Sequence, residues 1–249
     1  MNIFRQQARS LIHTLAPGLL QRYRLRKSAR RLYARCNSAT TLEQIIHEVE
    51  TSDSFRALQK LSEIHGFLEL VRELNPQTVC EIGAARGGTL CLFSRVAAPG
   101  ARLLSIDIGF SSLQCAVLPT LVRHGQYATC LRADSHDPAT LARVRQWLGH
   151  RRIDVLFIDG DHTYAGVARD FEMFSPLVRP GGIIGFHDIV PDFKTRFGIQ
   201  TVSDVGEVPE FWKKLKDSGC RTQEFIDDHE QDGFGIGVVH WPESAAVAG

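Results

Sequence analysis

Apolar positions change their spacing partway along the chain. From Leu42 to Leu74 they recur every three or four residues (Leu42, Ile45, Ile46, Val49, then Leu58, Leu61, Phe67, Leu68, Val71, Leu74), as two amphipathic helices require. Thr51, Ser52, Asp53 and Ser54 interrupt the pattern and are expected to cap the second helix, which Asn75-Pro76 ends. From Thr78 onward, short apolar runs alternate with helical stretches. Residues 78–82, 102–106, 127–131, 153–158 and 183–186 read as strands. Helices are expected over 89–98 and 112–124, from Asp137-Pro138 through Leu148, and from Tyr164 through Val178. The run Arg179-Pro180-Gly181-Gly182 reads as a turn into the fifth strand. Such alternation means parallel strands joined by right-handed crossovers.

Past residue 190 the alternation fails. A loop and a helix over 209–218 precede two strands, 221–226 and 234–240, separated by the turn-rich segment 227–233. The expected architecture is α/β: a doubly wound, Rossmann-like, seven-stranded and mostly parallel sheet with a C-terminal antiparallel hairpin and an N-terminal helical extension. The chain divides into 1–41, a helical prefix over 42–75, a main domain over 76–243, and a frayed tail over 244–249.

Charge changes this picture at one end. The 249 residues carry 29 Lys/Arg and 28 Asp/Glu. Nine of the basic residues and none of the acids fall in 1–42, leaving 20 basic against 28 acidic residues in the remainder. The acidic body gives no support to nucleic acid as its partner, and none is expected. The basic arm is open to several readings: peripheral contact with an anionic membrane, an organellar transit peptide, a surface docked on a sister subunit in a homodimer, or a solvated extension. Its apolar stretch is broken by His13, Pro17 and Gly18, which argues against a secretory signal. No run is long enough to span a bilayer. The six cysteines are scattered, without metal-finger spacing, and point to a reducing, cytoplasmic setting.

Candidate chemistry collects where parallel sheets bind ligands, outside the carboxyl ends of the strands. Those ends carry Glu81-Ile82-Gly83-Ala84-Ala85-Arg86-Gly87-Gly88-Thr89, Asp107, Asp134-Ser135, Asp159-Gly160-Asp161-His162 and His187-Asp188. The first segment misses the G-x-G-x-x-G dinucleotide fingerprint, and its glycines also suit a bare turn with close helix packing. An acid after the second strand suits ribose hydroxyls. An acidic rather than phosphate-friendly turn suits a nucleoside with a positive portion, such as S-adenosylmethionine. Three bland readings stay open: Asp188 as a turn former, His187 as a supporting residue, and His162 as a helix-start residue with Asp161 or Thr163 as the cap. Asp154, Asp170 and Asp192 read as surface and turn residues. Trp212 reads as core or interface.

Glu81-Ile-Gly-x-x-x-Gly-Gly-Thr, Ser105-Ile106-Asp107, Asp134-Ser135, Asp159-Gly-Asp-His162-Thr-Tyr164 and Pro180-Gly-Gly…His187-Asp188 together resemble class I S-adenosylmethionine-dependent methyltransferases. The branch they resemble contains the macrocin and mycinamicin sugar O-methyltransferases and the cephalosporin hydroxylase-like proteins. The resemblance implies cofactor binding by Glu81, Gly83, Ala84, Gly87, Gly88, Thr89, Asp107, Asp134 and Ser135. It further implies a divalent ion (Mg or Mn) on Asp159, His187 and Asp188, and His162 as catalytic base beside Asp159. The expected activity is O-methylation of a sugar or other vicinal diol in polysaccharide or glycoconjugate synthesis, on a small-molecule or glycan acceptor. Alternatives are an iron oxygenase built on His162, His187 and Asp188, and a catalytically silent partner protein.

Overall fold

The computed structural model describes residues 17–201 and 203–242. Three helices come first: α1 (Pro17–Ser38), α2 (Leu42–Glu50) and α3 (Leu61–Leu74). Thr41 caps α2 by accepting from the Gln44 amide, and Asn75 ends α3 in the left-handed conformation just before Pro76. There follow β1 (Thr78–Ile82), α4 (Gly88–Val96), β2 (Arg102–Asp107), α5 (Ser112–Val117), β3 (Tyr127–Arg132), α6 (Pro138–Leu148), β4 (Ile153–Ile158), α7 (Tyr164–Phe174) and β5 (Val178–His187). The chain closes with α8 (Phe193–Phe197), α9 (Val208–Asp217), β6 (Thr222–Phe225) and β7 (Ile236–His240).

The seven strands form one sheet in the order β3-β2-β1-β4-β5-β7-β6. Pairs through β5 are parallel; β7 runs antiparallel to both β5 and β6. This is the expected doubly wound sheet with its terminal hairpin. One core packs α1 to α5 on one face, with Phe67, Phe93 and Phe157 at its centre. The other face is covered by α6, α7 and α9 through Val144, Val167, Phe174, Phe211 and Trp212. Trp212 is therefore a core residue, its indole N–H donating to Glu224.

Four local expectations need correction. Residues 51–54 do not cap the second helix: the chain stays irregular as far as Lys60, and Phe55, Ala57 and Gln59 are buried. Gly88 lies so close to this loop that an added Cβ would sit 2.4 Å from the Ala57 amide nitrogen. The helix after β2 stops at Val117 and tightens into a 3-10 turn (Leu118–Leu121) containing Pro119, which has no N–H to continue an α-helix. Arg179–Gly182 lies within β5, where the β4 register shifts between Ile153 and Val155. Asp192 caps a short helix, α8, where only loop was expected.

The described part of the basic N-terminal segment is helical. α1 lies on this chain's own domain through Ala29, Leu32 and Cys36, so that part is neither a free extension nor dependent on a sister subunit for its packing. Residues 1–16 and the 244–249 tail lie outside the described residues.

Candidate functional site

The turn after β1 is shaped by one close approach. Gly83 has φ +81°, and an added Cβ would stand 1.8 Å from the Asp159 carbonyl oxygen. Backbone bonds fix the two strand ends: the Gly83 amide donates to Ile106, and the Asp159 amide to Ile82. Asp107 holds the rest of the turn, its Oδ2 accepting from the Ala85 amide and its Oδ1 from the Gly109 amide, both at 2.7 Å. Between these ends opens a cavity of about 570 Å³, lined by Gly83, Asp107, Asp134, Ser135, Asp159, His162 and His187 among others. That size suits a small-molecule ligand. Exposed Leu58 and Ile108 also line it.

Other expected cofactor residues do not reach this cavity. Glu81, Ala84, Gly87, Gly88 and Thr89 are absent from its wall. Glu81 is turned beneath the glycine turn, where Thr89 and Ser105 donate their hydroxyls to its carboxyl group. Gly87 and Gly88 serve packing: a Cβ at either would strike Leu118 or the 55–57 backbone.

Burial pushes the Glu81 carboxyl up to about 8, against the opposing pull of the two hydroxyls. The folded state thus binds a proton that the unfolded chain, with its ordinary value of 4.5, releases. The resulting stability is fully present below about pH 4.5 and is lost as pH rises towards 8, by up to ~1.4 kcal/mol per unit. Glu81→Gln should flatten that slope while keeping the fold. Urea unfolding of both proteins at pH 5, 6.5 and 8 checks this, and parallel slopes would remove Glu81 as the source.

At the other end of the cavity, four titratable groups meet. His187 Nδ1 stands 3.2 Å from Asp159 Oδ1 and 3.3 Å from Asp188 Oδ2. His162 Nε2 is 3.5 Å from Asp159 Oδ1, while its Nδ1 lies 2.5 Å from the Asp204 carbonyl oxygen, to which an Nδ1–H donates. Ligand atoms of Asp159, His162 and Asp188 all fall within 4.8 Å of one another. Asp188 itself has φ +63°, the left-handed conformation that turns its carboxylate back towards the cluster.

The hydrogen bond to Asp159 raises His162 to about 9, with burial opposing and Asp204 and Asp188 assisting. Burial works against a charged His187, yet Asp159 and Asp188 raise it to about 10. Asp159 falls to about 2 despite its burial, chiefly through His187. The acidic neighbours therefore draw both imidazoles towards their protonated forms. His187 Nε2 is buried without a partner.

Other residues at the site carry no local signal in the sequence. Gln59, from the loop before α3, donates its amide to Asp159 Oδ2 at 3.2 Å across a separation of 100 residues, and its Oε1 is buried and unpaired. Asp170, expected at the surface, is fully buried in α7, 3.3 Å from His136 Nε2, and burial raises it to about 6. Its place on the apolar face of α7, between Val167 and Phe174, was the available clue. Asp154 and Asp192 likewise work within the fold: Asp154 accepts from the Gln77 and Thr78 amides, and Asp192 caps α8. Thr163 caps α7, one of the two caps that the helix-start reading of His162 expected.

A family model described as "Methyltransferase domain" matches residues 80–189, the segment holding β1 through β5 and nearly every candidate residue. Among solved structures, a putative caffeoyl-CoA O-methyltransferase from Staphylococcus aureus aligns at TM-score 0.58 and 16% identity, over 86% of this chain and 99% of that one. The O-methyltransferase TomG from Streptomyces achromogenes, in complex with SAM, aligns at TM-score 0.54 and 16% identity, over 81% and 91%. MycE of the mycinamycin pathway, in complex with Mg and SAH, aligns at 0.55 and 19%, over 84% of this chain but 57% of its own. A curated relative, "Uncharacterized protein R132" of Acanthamoeba polyphaga mimivirus, is 53% identical over 36 residues, 14% of this chain and 16% of that protein. The chain thus spans only a small part of that relative. Sheet order and the matched segment are those of a class I methyltransferase fold.

Proposed function

We propose that the protein transfers the methyl group of S-adenosylmethionine to a hydroxyl of a sugar or other vicinal diol, with a divalent cation assisting. The observation that carries this reading is that the strand-end cavity and the Asp159–His162–Asp188 cluster share a wall: Asp159 and His162 belong to both, and His187, beside them, lines the cavity too. A nucleoside bound against Asp107 and Asp134 would bring its sulfonium end to that cluster. MycE, bound to Mg and SAH, supports a metal by analogy of fold; the sugar-type acceptor rests on the motif resemblance.

The donor set fits the ion. Asp159 and Asp188 would supply two carboxylate oxygens, and His187 Nδ1, 3.2 and 3.3 Å from them, would supply an imidazole once the ion has displaced its proton. An ion held there would lower the pKa of a coordinated hydroxyl and oppose protonation of His162. The residues do the rest. As the hydroxyl oxygen attacks the methyl carbon in line with the departing sulfur, His162 Nε2 accepts the proton while the Asp204 carbonyl fixes its tautomer. Leu58 and Ile108 give the mouth an apolar rim against which a ring can rest.

Calorimetry of S-adenosylmethionine binding, with Mn²⁺ or with chelator, tests cofactor and metal together. Cofactor binding that never occurs would overturn the reading. Asp107→Ala should weaken the cofactor by roughly 5–150-fold, the equivalent of ~1–3 kcal/mol for groups left unpaired. An unchanged dissociation constant in a folded variant would take the ribose away from Asp107.

A further inference from the structure

The methyltransferase reading leaves α1 unused. Its inner face packs on the domain through Ala29, Leu32 and Cys36, at helical spacing. Its outer side carries Arg22, Arg24, Arg26, Lys27, Arg30 and Arg31, all exposed. None of these six has an acidic partner among the described residues, whereas Arg35 pairs with Glu48. Leu19 and Tyr23, 65% and 61% exposed, stand four residues apart, and the next position in that row is Lys27, whose ammonium lies over the Tyr23 ring. The helix therefore presents a row that passes from apolar through aromatic to cationic, flanked by further arginines.

We propose that α1 docks this protein onto the anionic lipid headgroups of a bilayer, lying in the plane of the interface with Leu19 and Tyr23 at the headgroup–acyl boundary. Charge complementarity selects the partner: unpaired cations on a rigid helix, with an apolar and an aromatic side chain beside them, match the surface of an anionic membrane. A nucleic acid fits less well, because the body beyond α1 is net acidic and would repel a polyanion running along it. Residues 1–16 add Arg5 and Arg9 to the same end of the sequence and contain no acid. A flat surface needs only α1, and the domain's acidic faces can point away.

Full-length protein should sediment with phosphatidylcholine vesicles containing phosphatidylglycerol, and much less with phosphatidylcholine alone. Each basic side chain near such a surface is worth about fivefold in partitioning. The variant Arg26→Gln/Lys27→Gln/Arg30→Gln/Arg31→Gln should therefore lose on the order of 10²–10³-fold, with circular dichroism and Tm unchanged, since all four side chains are exposed. Leu19→Gln/Tyr23→Gln should weaken binding by a factor that persists at high salt, where the charge contribution is screened. Equal sedimentation with neutral and anionic vesicles, or an unaffected quadruple variant, overturns the proposal. Binding of a single-stranded oligonucleotide as tight as that of the anionic vesicles overturns it in favour of nucleic acid.

Discussion

Alanine at position 162 should cut turnover by roughly 10²–10⁴ while leaving divalent-ion and S-adenosylmethionine affinities almost unchanged. The reason is the division of labour among four side chains. His187 is 5% exposed and touches both carboxylates, so in the proposed site it stays with the ion-holding group. His162 is more open, lies on the cavity wall, and is steered by the Asp204 carbonyl so that Nε2 is the nitrogen turned to the Asp159 side of the cluster. Its removal deletes a proton acceptor without taking a carboxylate from the ion. Asp188→Ala is the complementary variant and should lose the ion, measured by Mn²⁺ titration, with turnover falling as a consequence. If His162→Ala also lost the ion, His162 would be a ligand, as its distance to both carboxylates allows, and another group would have to take the proton.

Gly83→Ala should be the most damaging single-methyl change in the protein. Two penalties coincide there. A non-glycine residue at φ +81° costs about 1–3 kcal/mol. A Cβ driven against the Asp159 carbonyl must also displace backbone, and overpacking of that kind adds about 1–3 kcal/mol. The sum, about 2–6 kcal/mol, corresponds to a fall in Tm of roughly 4–24 °C in a chain of this size. Gly100→Ala separates the two contributions: its φ is +78°, but nothing lies within 4 Å of an added Cβ. Only the conformational penalty should appear there. Equal losses of Tm in the two variants would show that the approach to Asp159 is not tight. Because Asp159 is the residue displaced, Gly83→Ala should also disturb the ion-binding cluster, which Gly100→Ala should leave intact.

The sheet was readable in the sequence because its central strands are buried on both faces. Residues 78–82 and 153–158 are apolar runs closed by glycine and acid, and no helical spacing competes with them. Caps at Asp137 and Thr163 work the same way, since the side chain and the amide it accepts from lie two or three residues apart. Asp107, Asp134, Asp159, His162 and His187 meet at the cavity because strand ends of a parallel sheet converge by construction.

What failed to show were pairings across space. Nothing near Gln59 indicates that its amide reaches Asp159, and nothing near Glu81 shows that Thr89 and Ser105 fold its carboxyl under the turn. The glycines at 87 and 88 look like a ligand cradle in one dimension. In three they are clearance for Leu118 and for the loop before α3. The same loop defeated helical spacing, because burying Phe55, Ala57 and Gln59 as an irregular strap outweighed capping by Thr51 to Ser54.

The position of β7 bears on how the protein comes into being during translation. β5, whose end carries His187, receives its second neighbour only from residues 236–240, and the amides of Ile189 and Val190 donate to Gly235 and Phe234. A nascent chain that has reached β5 but not β7 therefore presents the apolar edge of Ile183, Ile184 and Phe186 without a partner, the kind of edge that recruits other chains. The segment after β6 is also tied back to α3, where Glu63 accepts from Gln231 and from the Gly235 amide. Early and late parts of the polypeptide thus close on each other across the finished sheet. His187 and Asp188 are fixed only once residues 234–240 have joined the sheet, and the interval before that is when this chain most needs shielding.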